Sequence, residues 1–467
     1  MNVIQVAITP TQASKDAGRP ALTPELLAAS GARYSRNNEG LESILSKIDP
    51  ENPDKSVDSI FRMLDYGHQS IADMAPVAMF IDGISLWLAY YIWSLCPTAS
   101  GQESSTRYIN YSAKEAVPPA ELGITGCHGD AWRALISECY DGYAEALDLW
   151  QVIVDDDPSL MRIPTELLDD SSEKTQKKVA RMKRNYAFDR ARYFLPVSAP
   201  TNVMLLMSAR GWTTLIQHLL SYPLPEAQEL GKKVREELSL TAPRLVKHAT
   251  VKSSLEEGIA AEIDQVRQLS LKWDRKYLLN ETNDAHPPTA FVESFAPQEM
   301  TADASHDLQF HDNRYAWIGP GLCRTAVRFG WQAVAMAELR DLNRHRTGSK
   351  WCPLIPRGFY CAADQLPDKK HGEALAKLAT IGRRAAGASR ALLECGDPAY
   401  IYWTMLGTQY YFEHTTTADK FLYEAELRTG TGAHYRYAKH LHDALEIWYQ
   451  QYPETKALVL EGSAEPE

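Results

Sequence analysis

The sequence predicts an α+β protein that is mainly helical and is organised in two halves. Stretches with helical spacing of apolar residues dominate the chain, and strand candidates are few. Two short motifs, one in each half at 95–108 and 344–349, predict the division. Helices are predicted at residues 56–72, 76–95, 129–156, 201–220, 226–239, 321–343, 370–394 and 433–448, and strands at 191–195 and 401–406.

Two segments have an unusual composition. The apolar run 74–96 contains Asp82 and Gly83 and lacks the positively charged flanks of a membrane-spanning helix. We therefore predict a buried core helix there and no contact with a membrane. The basic stretch 174–184 is predicted to be the solvated face of a helix.

The composition limits the classes of function. The chain has 467 residues, of which 45% are hydrophobic and 23% charged, with a net charge of -11. An acidic balance argues against broad affinity for nucleic acid, which needs a basic surface. The seven cysteines show no C-x-x-C spacing, and the N-terminus lacks the regions of a signal peptide. We therefore predict a reduced, cytoplasmic protein without a metal site.

The first motif, LCPTASGQESSTRY at 95–108, has the chemistry of a nucleotide-binding loop. Arg107 can form paired, charge-assisted hydrogen bonds to phosphate oxygens. Glu103 can accept a hydrogen bond from a ribose hydroxyl or a base. A loop that follows a buried helix can also present backbone N–H groups to a phosphate. The alternative is an ordinary loop that caps a helix.

The second motif, RHRTGS at 344–349, places two guanidinium groups on either side of an imidazole. Arg344, His345 and Arg346 would form a compact cationic cluster that can hold an anionic group and polarise a carbonyl. Because Glu338 and Asp341 precede them, a charged helix end is the alternative.

Together the two motifs resemble one signature of the flavin-dependent thymidylate synthase (ThyX) family, R-H-R-x-x-S-x-N-E-x-S-x-R-Y. The first motif matches its second part, and the second motif matches its first part. Each motif keeps what the other lacks, which predicts a diverged tandem duplication. The matching residues are Ser100, Glu103, Ser105, Arg107 and Tyr108 in the first motif, and Arg344, His345, Arg346 and Ser349 in the second.

Three further segments resemble the family at matching positions. Residues 67–70 followed by Asp73 resemble a flavin-lining segment, and Arg192 in A-R-x-x-L-P matches a phosphate-contacting arginine. A later substrate arginine is replaced by Tyr222 in the first half, whereas Arg428 keeps it in the second. The resemblance implies two ThyX-like α/β domains in tandem, each with a small mixed or antiparallel sheet. They would occupy residues 1–280 and 308–467, with a linker or long loop at 281–307.

The resemblance also implies an activity. It is a flavin-dependent methylation at C5 of a pyrimidine nucleotide such as dUMP, with FAD as cofactor and NADPH and methylenetetrahydrofolate as co-substrates. It implies a homodimer that forms a tetramer-like core. By position, the catalytic residues are Arg344, His345 and Arg346; the flavin-binding residues are these three with His68, Ser70, Asp73 and Ser349; and the substrate-binding residues are Glu103, Ser105, Arg107, Tyr108, Arg192 and Arg428.

Other functions remain open. The chain could bind a nucleotide or flavin as a sensor or scaffold without turnover, or act on a different pyrimidine nucleoside. Action on a base within nucleic acid is disfavoured by the acidic charge. Cys352 offers a rival chemistry as a nucleophile near two arginines, although a buried cysteine without a catalytic role is the simpler interpretation.

Overall fold

A computed structural model of the chain describes residues 1–6, 12–16, 21–35, 40–49, 52, 55, 57–58, 69–161, 165–279, 289–296, 304–367 and 370–463. The chain forms two compact units. Unit 1 comprises Met1–Ser104, Val117–Gly123 and Pro200–Ile263, and unit 2 comprises Ser105–Ala116, Ile124–Ala199 and Asp264–Glu467. Unit 2 thus takes two segments from the N-terminal half. The predicted division at 1–280, 281–307 and 308–467 concerns the sequence halves and stays a prediction.

The helices and strands of the described residues are numbered here in chain order. The helices are α1 (Gln12–Asp16), α2 (Pro24–Tyr34), α3 (Gly40–Ser46), α4 (Leu86–Leu95), α5 (Gly126–Asp156), α6 (Thr165–Asp169), α7 (Glu173–Ala191), α8 (Ala209–Ser221), α9 (Pro225–Ser239), α10 (Ser253–Lys272), α11 (Lys276–Leu279), α12 (Ser305–Leu308), α13 (Pro320–Arg324), α14 (Met336–Leu342), α15 (Gly372–Cys395), α16 (Ala418–Thr429) and α17 (Tyr435–Gln451). The strands are β1 (Asn2–Val6), β2 (Pro76–Ser85), β3 (Ser100–Glu103), β4 (Pro200–Ser208), β5 (Ala290–Phe295), β6 (Ala326–Ala335), β7 (Ser349–Trp351), β8 (Gly358–Phe359) and β9 (Thr408–Thr417).

Each unit contains one antiparallel sheet. In unit 1 the strand order is β1-β2-β4-β3. In unit 2 it is β5-β6-β9-β7, and the short strand β8 also pairs with β9. The central pair of each sheet has a register shift, between Asp82 and Ile84 in unit 1 and between Trp331 and Val334 in unit 2. The chain is therefore a mixed helical and sheet protein, as predicted.

The two sheets connect to helices in the same order. In each unit the second strand leads into a helix (α4 or α14), and the last central strand leads into two consecutive helices (α8 and α9, or α16 and α17). This shared order is what a duplication would leave, and the tandem arrangement itself stays a prediction.

Five predicted helices are confirmed. They are the segments 129–156, 174–184, 226–239, 370–394 and 433–448, which lie in α5, α7, α9, α15 and α17. Helix α5 packs against α7 and α15 in unit 2. Among the described residues, no helix is long and apolar enough to cross a membrane.

Three predicted helices were wrong in part, because each includes a strand. Residues 76–95 form β2 and then α4, residues 201–220 form β4 and then α8, and residues 321–343 form α13, β6 and α14. Each strand lies in a largely apolar segment, and periodicity alone does not distinguish a short apolar strand from a buried helix. Ser85 and Ser208 mark two of the boundaries, since each side chain accepts a backbone N–H of the following helix.

Both predicted strands were also wrong. Residues 191–195 contain the short 3-10 helix Arg192–Phe194, and residues 401–406 overlap the end of the 3-10 helix Pro398–Trp403. Their aromatic residues suggested strands, but the residues lie at buried turns, where tertiary packing overrides strand propensity. The predicted helix 56–72 falls largely on residues outside those described. Within the predicted linker 281–307, Ala290–Phe295 instead form β5, because they pair with β6.

Candidate functional site

The first motif passes from unit 1 into unit 2 between Ser104 and Ser105. Glu103 ends β3 in unit 1 and is 9% exposed. In unit 2, the Ser105 hydroxyl accepts the backbone N–H of Arg107 at 3.2 Å, which fixes the start of a turn. The turn directs Arg107 inward and leaves Tyr108 exposed.

Arg107 forms a paired salt bridge with Asp189, the third residue from the end of α7. Its Nε and Nη2 each donate to one carboxylate oxygen at 2.8 Å, and Nη1 donates to the carbonyl of Gly432 at 3.2 Å. Both side chains are mostly buried, at 16% and 5% exposure. Burial lowers the pKa of Arg107, but Asp189 outweighs it and holds this pKa well above its usual value. Arg107 is thus charged and uses three of its five N–H groups within the protein.

Arg192, immediately after α7, is the least satisfied buried cation in the described part of unit 2. Its side chain is 2% exposed. The nearest carboxylate oxygens belong to Glu338, at 3.9 Å from Nη2, and Asp341, at 3.7 Å from Nη1. Its Nε and Nη2 have no hydrogen-bond partner among the described residues. Since each unsatisfied buried donor costs about 1–3 kcal/mol, the site is suited to an anionic ligand.

Asp341, at the end of α14, brings the two motifs together. Burial raises the pKa of its carboxyl group, but Arg192, Arg344, Arg428 and Arg107 lower it, and the net pKa lies below the usual value. These four arginines come from both motifs and from two further segments that sequence alone had singled out. Unit 2 therefore gathers them around one carboxylate, whose side chain is 19% exposed. We call this group, with Glu338 and Asp189, the arginine cluster.

His345 differs from the expected cation. Its side chain is 8% exposed, and burial lowers its pKa from 6.5 to about 3, although Glu424 opposes the shift. Arg428 donates from Nε to His345 Nε2 at 2.7 Å and from Nη2 to the carbonyl of Asp341 at 2.8 Å. The imidazole is therefore neutral and accepts a hydrogen bond. His345, which lies between Arg344 and Arg346 in the sequence, therefore positions Arg428 and adds no charge to the site.

Acidification is expected to destabilise the protein through His345. The folded-state pKa is about 3 and the usual value is 6.5, so only the unfolded state binds this proton between those values. Stability present above pH 6.5 is then lost as the pH falls toward 3, by about 1.4 kcal/mol per pH unit for one proton. His345→Gln keeps an acceptor for Arg428 without titrating, so urea unfolding should show a shallower acid decline. An unchanged slope would contradict the neutral imidazole.

The remaining residues of the second motif lie at the surface. Arg346 and Ser349 are exposed, and Ser349 begins β7. Gly348 has a φ of 67°, and a side chain there would meet the Thr415 carbonyl oxygen at 2.0 Å. Glycine is thus required for the turn that leads from Arg346 to β7.

A cavity of about 700 Å³ is lined in part by residues that are sequence neighbours of the arginine cluster. Tyr108 follows Arg107, and Phe188 precedes Asp189. Two exposed arginines of α7, Arg181 and Arg184, line it too, with Asn110 and Asn185. Its volume lies in the range of small-molecule sites. The basic stretch, predicted to be only a solvated face, therefore also borders a cavity.

The other predicted flavin residues belong to unit 1. His68 lies outside the described residues. Ser70 is exposed, and Asp73 forms an ion pair with Arg210 at 2.9 Å. Tyr222, at the position where the resemblance expects an arginine, packs against Tyr91 with ring centroids 4.6 Å apart. The equivalence of Tyr222 with Arg428 of unit 2 stays a prediction.

The carboxylates of the site were not predicted from the sequence. Asp189 was not singled out, and Glu338 and Asp341 were taken as a charged helix end. The signal was present for two of them, because Asp189 lies three positions before Arg192 and Asp341 three positions before Arg344, which is the spacing of ion-pair partners on a helix. Glu338 lies six positions before Arg344 and gave no such signal. The described residues contain no group of three His, Cys, Asp or Glu able to hold a metal.

Comparison with known proteins finds a similarity to the same family. The model of the family described as thymidylate synthase complementing protein matches residues 21–244, just under half of the chain. These residues are ThyX-like. The chain is 26% identical over 238 residues to the UPF0159 protein Ta1429 of Thermoplasma acidophilum, which is 47% of each chain. It therefore spans about half the length of this curated relative.

Two solved structures are similar to parts of the chain. One is the UMP/dUMP methylase PolB from Streptomyces cacaoi bound with 5-Br dUMP, with 16% identity, 53% of this chain, 93% of that chain and a TM-score of 0.31. The other is the flavin-dependent thymidylate synthase ThyX from Helicobacter pylori complexed with FAD and dUMP, with 17% identity, 54% of this chain, 100% of that chain and a TM-score of 0.31.

Proposed function

We propose that this chain catalyses a flavin-dependent one-carbon transfer, a methylation, to C5 of a pyrimidine nucleotide such as dUMP. The similarity to the family supports the reaction class. The observation that carries the proposal is the arginine cluster, in which arginines of both motifs interact electrostatically with the Asp341 carboxylate. The active site would then lie in unit 2 and combine the two incomplete motifs within one chain.

The nucleotide phosphate is the anion that the arginine cluster fits best. Arg192 offers two buried N–H groups without partners in the described residues, and guanidinium groups pair with phosphate in a planar, two-bond geometry. Arg107 donates three of its five N–H groups within the protein, so two remain for a ligand. Arg428 adds charge from a position fixed by His345. Ser105 and Tyr108 of unit 2 keep their predicted roles in substrate binding as part of this proposal. The role of Glu103, which belongs to unit 1, stays a prediction from the resemblance.

FAD fits the same chemistry as a phosphate-bearing anion. Arg344 and Arg346 of unit 2 would hold it, with Ser349. His68, Ser70 and Asp73 belong to the other unit and stay predictions from the resemblance. When bound, FAD supplies the reducing chemistry of the transfer, with NADPH as the reductant and methylenetetrahydrofolate as the one-carbon donor. The chain's own residues would bind and orient the nucleotide and stabilise negative charge on the pyrimidine as it develops.

The test is a complete assay with purified protein. FAD is titrated and followed by its visible absorbance, and dTMP formation is measured from dUMP with NADPH and methylenetetrahydrofolate. We expect FAD binding and dTMP that carries the labelled carbon of the folate. Cys352→Ala, run in parallel, should keep its turnover, because no step assigned here needs that thiol. A protein that binds no FAD and forms no dTMP would overturn the proposal.

A second candidate is a nucleotide-binding or flavin-binding protein without turnover. The salt bridge between Arg107 and Asp189 favours it, because three N–H groups of a predicted substrate ligand already serve the fold. The same assay separates the two functions. Binding of dUMP and FAD without product from dUMP, UMP or their nucleosides would support the sensor or scaffold. The predicted homodimer stays a prediction that light scattering can check.

A further inference from the structure

A line of hydroxyl groups leads from the arginine cluster to the surface of unit 2. Tyr193 donates to Glu338 Oε1 at 2.7 Å, and Tyr435 donates to the Tyr193 hydroxyl at 3.3 Å. The Tyr435 and Tyr360 hydroxyls are 3.4 Å apart. Tyr360 donates to Asp364 Oδ1 at 2.7 Å. The hydroxyls of three tyrosines thus link two carboxyl groups, and the link is complete when Tyr360 turns its single proton from Asp364 towards Tyr435.

The two ends of this line differ in exposure. The Glu338 side chain is 0% exposed, and its Oε2 has no hydrogen-bond partner among the described residues. The Asp364 side chain is 48% exposed. The three tyrosines between them are buried, at 0% to 3% exposure. The line therefore connects a carboxyl group that water does not reach with one in contact with solvent.

The surroundings of Glu338 allow both of its protonation states. Burial raises its pKa from 4.5 to about 7, although Arg192, the Tyr193 hydroxyl and Arg436 oppose the shift, and Asp341 adds to it. Arg192 and Tyr193 face it from the 3-10 turn after α7, Arg436 from α17, and Asp341 from its own helix. A buried carboxyl that changes charge near neutrality needs a route for its proton.

We propose that Glu338 exchanges protons with solvent through the hydroxyls of Tyr193, Tyr435 and Tyr360 and the carboxyl of Asp364. This inference rests on the proposed function in one respect only, since the methylation would be the source of the transferred proton. Replacing hydrogen by carbon at C5 releases a proton, which has to leave the site. Glu338 is the buried carboxyl beside Arg192 that would pass it on.

The transfer balances as one concerted relay. For uptake, Asp364 takes a proton from solvent and donates it to the Tyr360 oxygen, while the Tyr360 proton turns towards Tyr435. Asp364 then gives its proton to Tyr360, Tyr360 gives its own to Tyr435, Tyr435 to Tyr193, and Tyr193 to the Glu338 carboxylate. For release, each bond forms and breaks in the opposite order. Burial raises the pKa of all three tyrosines, so a stepwise route through a buried tyrosinate is disfavoured. The two central gaps, 3.3 and 3.4 Å, must shorten by a few tenths of an ångström during transfer.

The test follows Glu338 directly, without ligand, so its failure is separate from failure of methylation. Infrared difference spectra of the full chain record the carbonyl stretch of protonated carboxyl groups across a pH titration. We expect one band with a midpoint near the Glu338 pKa of about 7, absent in Glu338→Gln. After a rapid pH jump, this band should respond more slowly in Tyr435→Phe than in the wild type, by about tenfold or more.

Tyr143→Phe is the matched control, since Tyr143 is equally buried in unit 2 and lies outside the line. Its exchange rate should equal that of the wild type. Circular dichroism checks folding, and Tyr360→Phe replaces Tyr435→Phe if the latter does not fold. A band that persists in Glu338→Gln, or equal rates in all the tyrosine variants, would overturn the proposal.

Discussion

Arg192→Lys is expected to weaken dUMP binding by about 10- to 100-fold, because lysine keeps the charge but loses the planar pair of N–H donors. Arg192 has two buried N–H groups without partners in the described residues and lies 3.7 Å or more from the nearest carboxylate oxygen. Its interactions in the protein are therefore weak, and most of the effect should fall on the ligand. The measurement is the dissociation constant of dUMP by isothermal titration calorimetry.

Arg390→Lys is the matched control for this prediction. Arg390 is as buried as Arg192, with 2% side-chain exposure, but its donors are used by Glu394 and by backbone carbonyls, including that of Pro356 at 3.0 Å. We expect this variant to lose stability and to keep dUMP affinity. If both variants bound dUMP as the wild type does, Arg192 would be a structural residue and the phosphate site would lie elsewhere.

Breaking the salt bridge between Arg107 and Asp189 is expected to destabilise the protein strongly. Arg107→Met leaves the Asp189 carboxylate, 5% exposed, without its two hydrogen bonds at 2.8 Å. An unpaired buried charge of this kind costs about 3–5 kcal/mol. Because much of that cost is the desolvated carboxylate, Arg107→Met with Asp189→Asn should recover part of it. The free energy of unfolding in urea for the wild type, both single variants and the double variant gives the coupling energy.

The pair Arg133 and Asp130 offers the comparison at the surface. Its 2.8 Å bond joins side chains that are 60% and 87% exposed. Arg133→Met should cost no more than about 1 kcal/mol, as exposed ion pairs do. Equal losses at the two arginines, or a double variant no more stable than Arg107→Met, would contradict the importance of burial for the Arg107 pair.

The helices were the part of the fold that the sequence predicted best. Segments such as 129–156 and 433–448 repeat apolar residues over several turns, and this spacing needs no tertiary context to be recognised. The strands β2, β4 and β6 were missed because each lies within an apolar run that continues into a helix. Whether these residues form a strand or a helix depends on pairing with a strand that is distant in the sequence. The sequence alone does not reveal which segments pair.

The arginines of the candidate site were predicted from the sequence, whereas its carboxylates were not. Arg107, Arg192, Arg344 and Arg428 stand at positions that a known motif marks, and unit 2 brings them together. The sequence alone thus determined the family resemblance, the helical framework and the charged donors, because residue type and local spacing carry that information. The tertiary structure decided that Asp189 pairs with Arg107, that His345 is neutral and that Glu338 holds a proton near neutral pH. Hydrogen bonding, burial and the field of neighbouring charges set these properties, and all three depend on residues far apart in the chain.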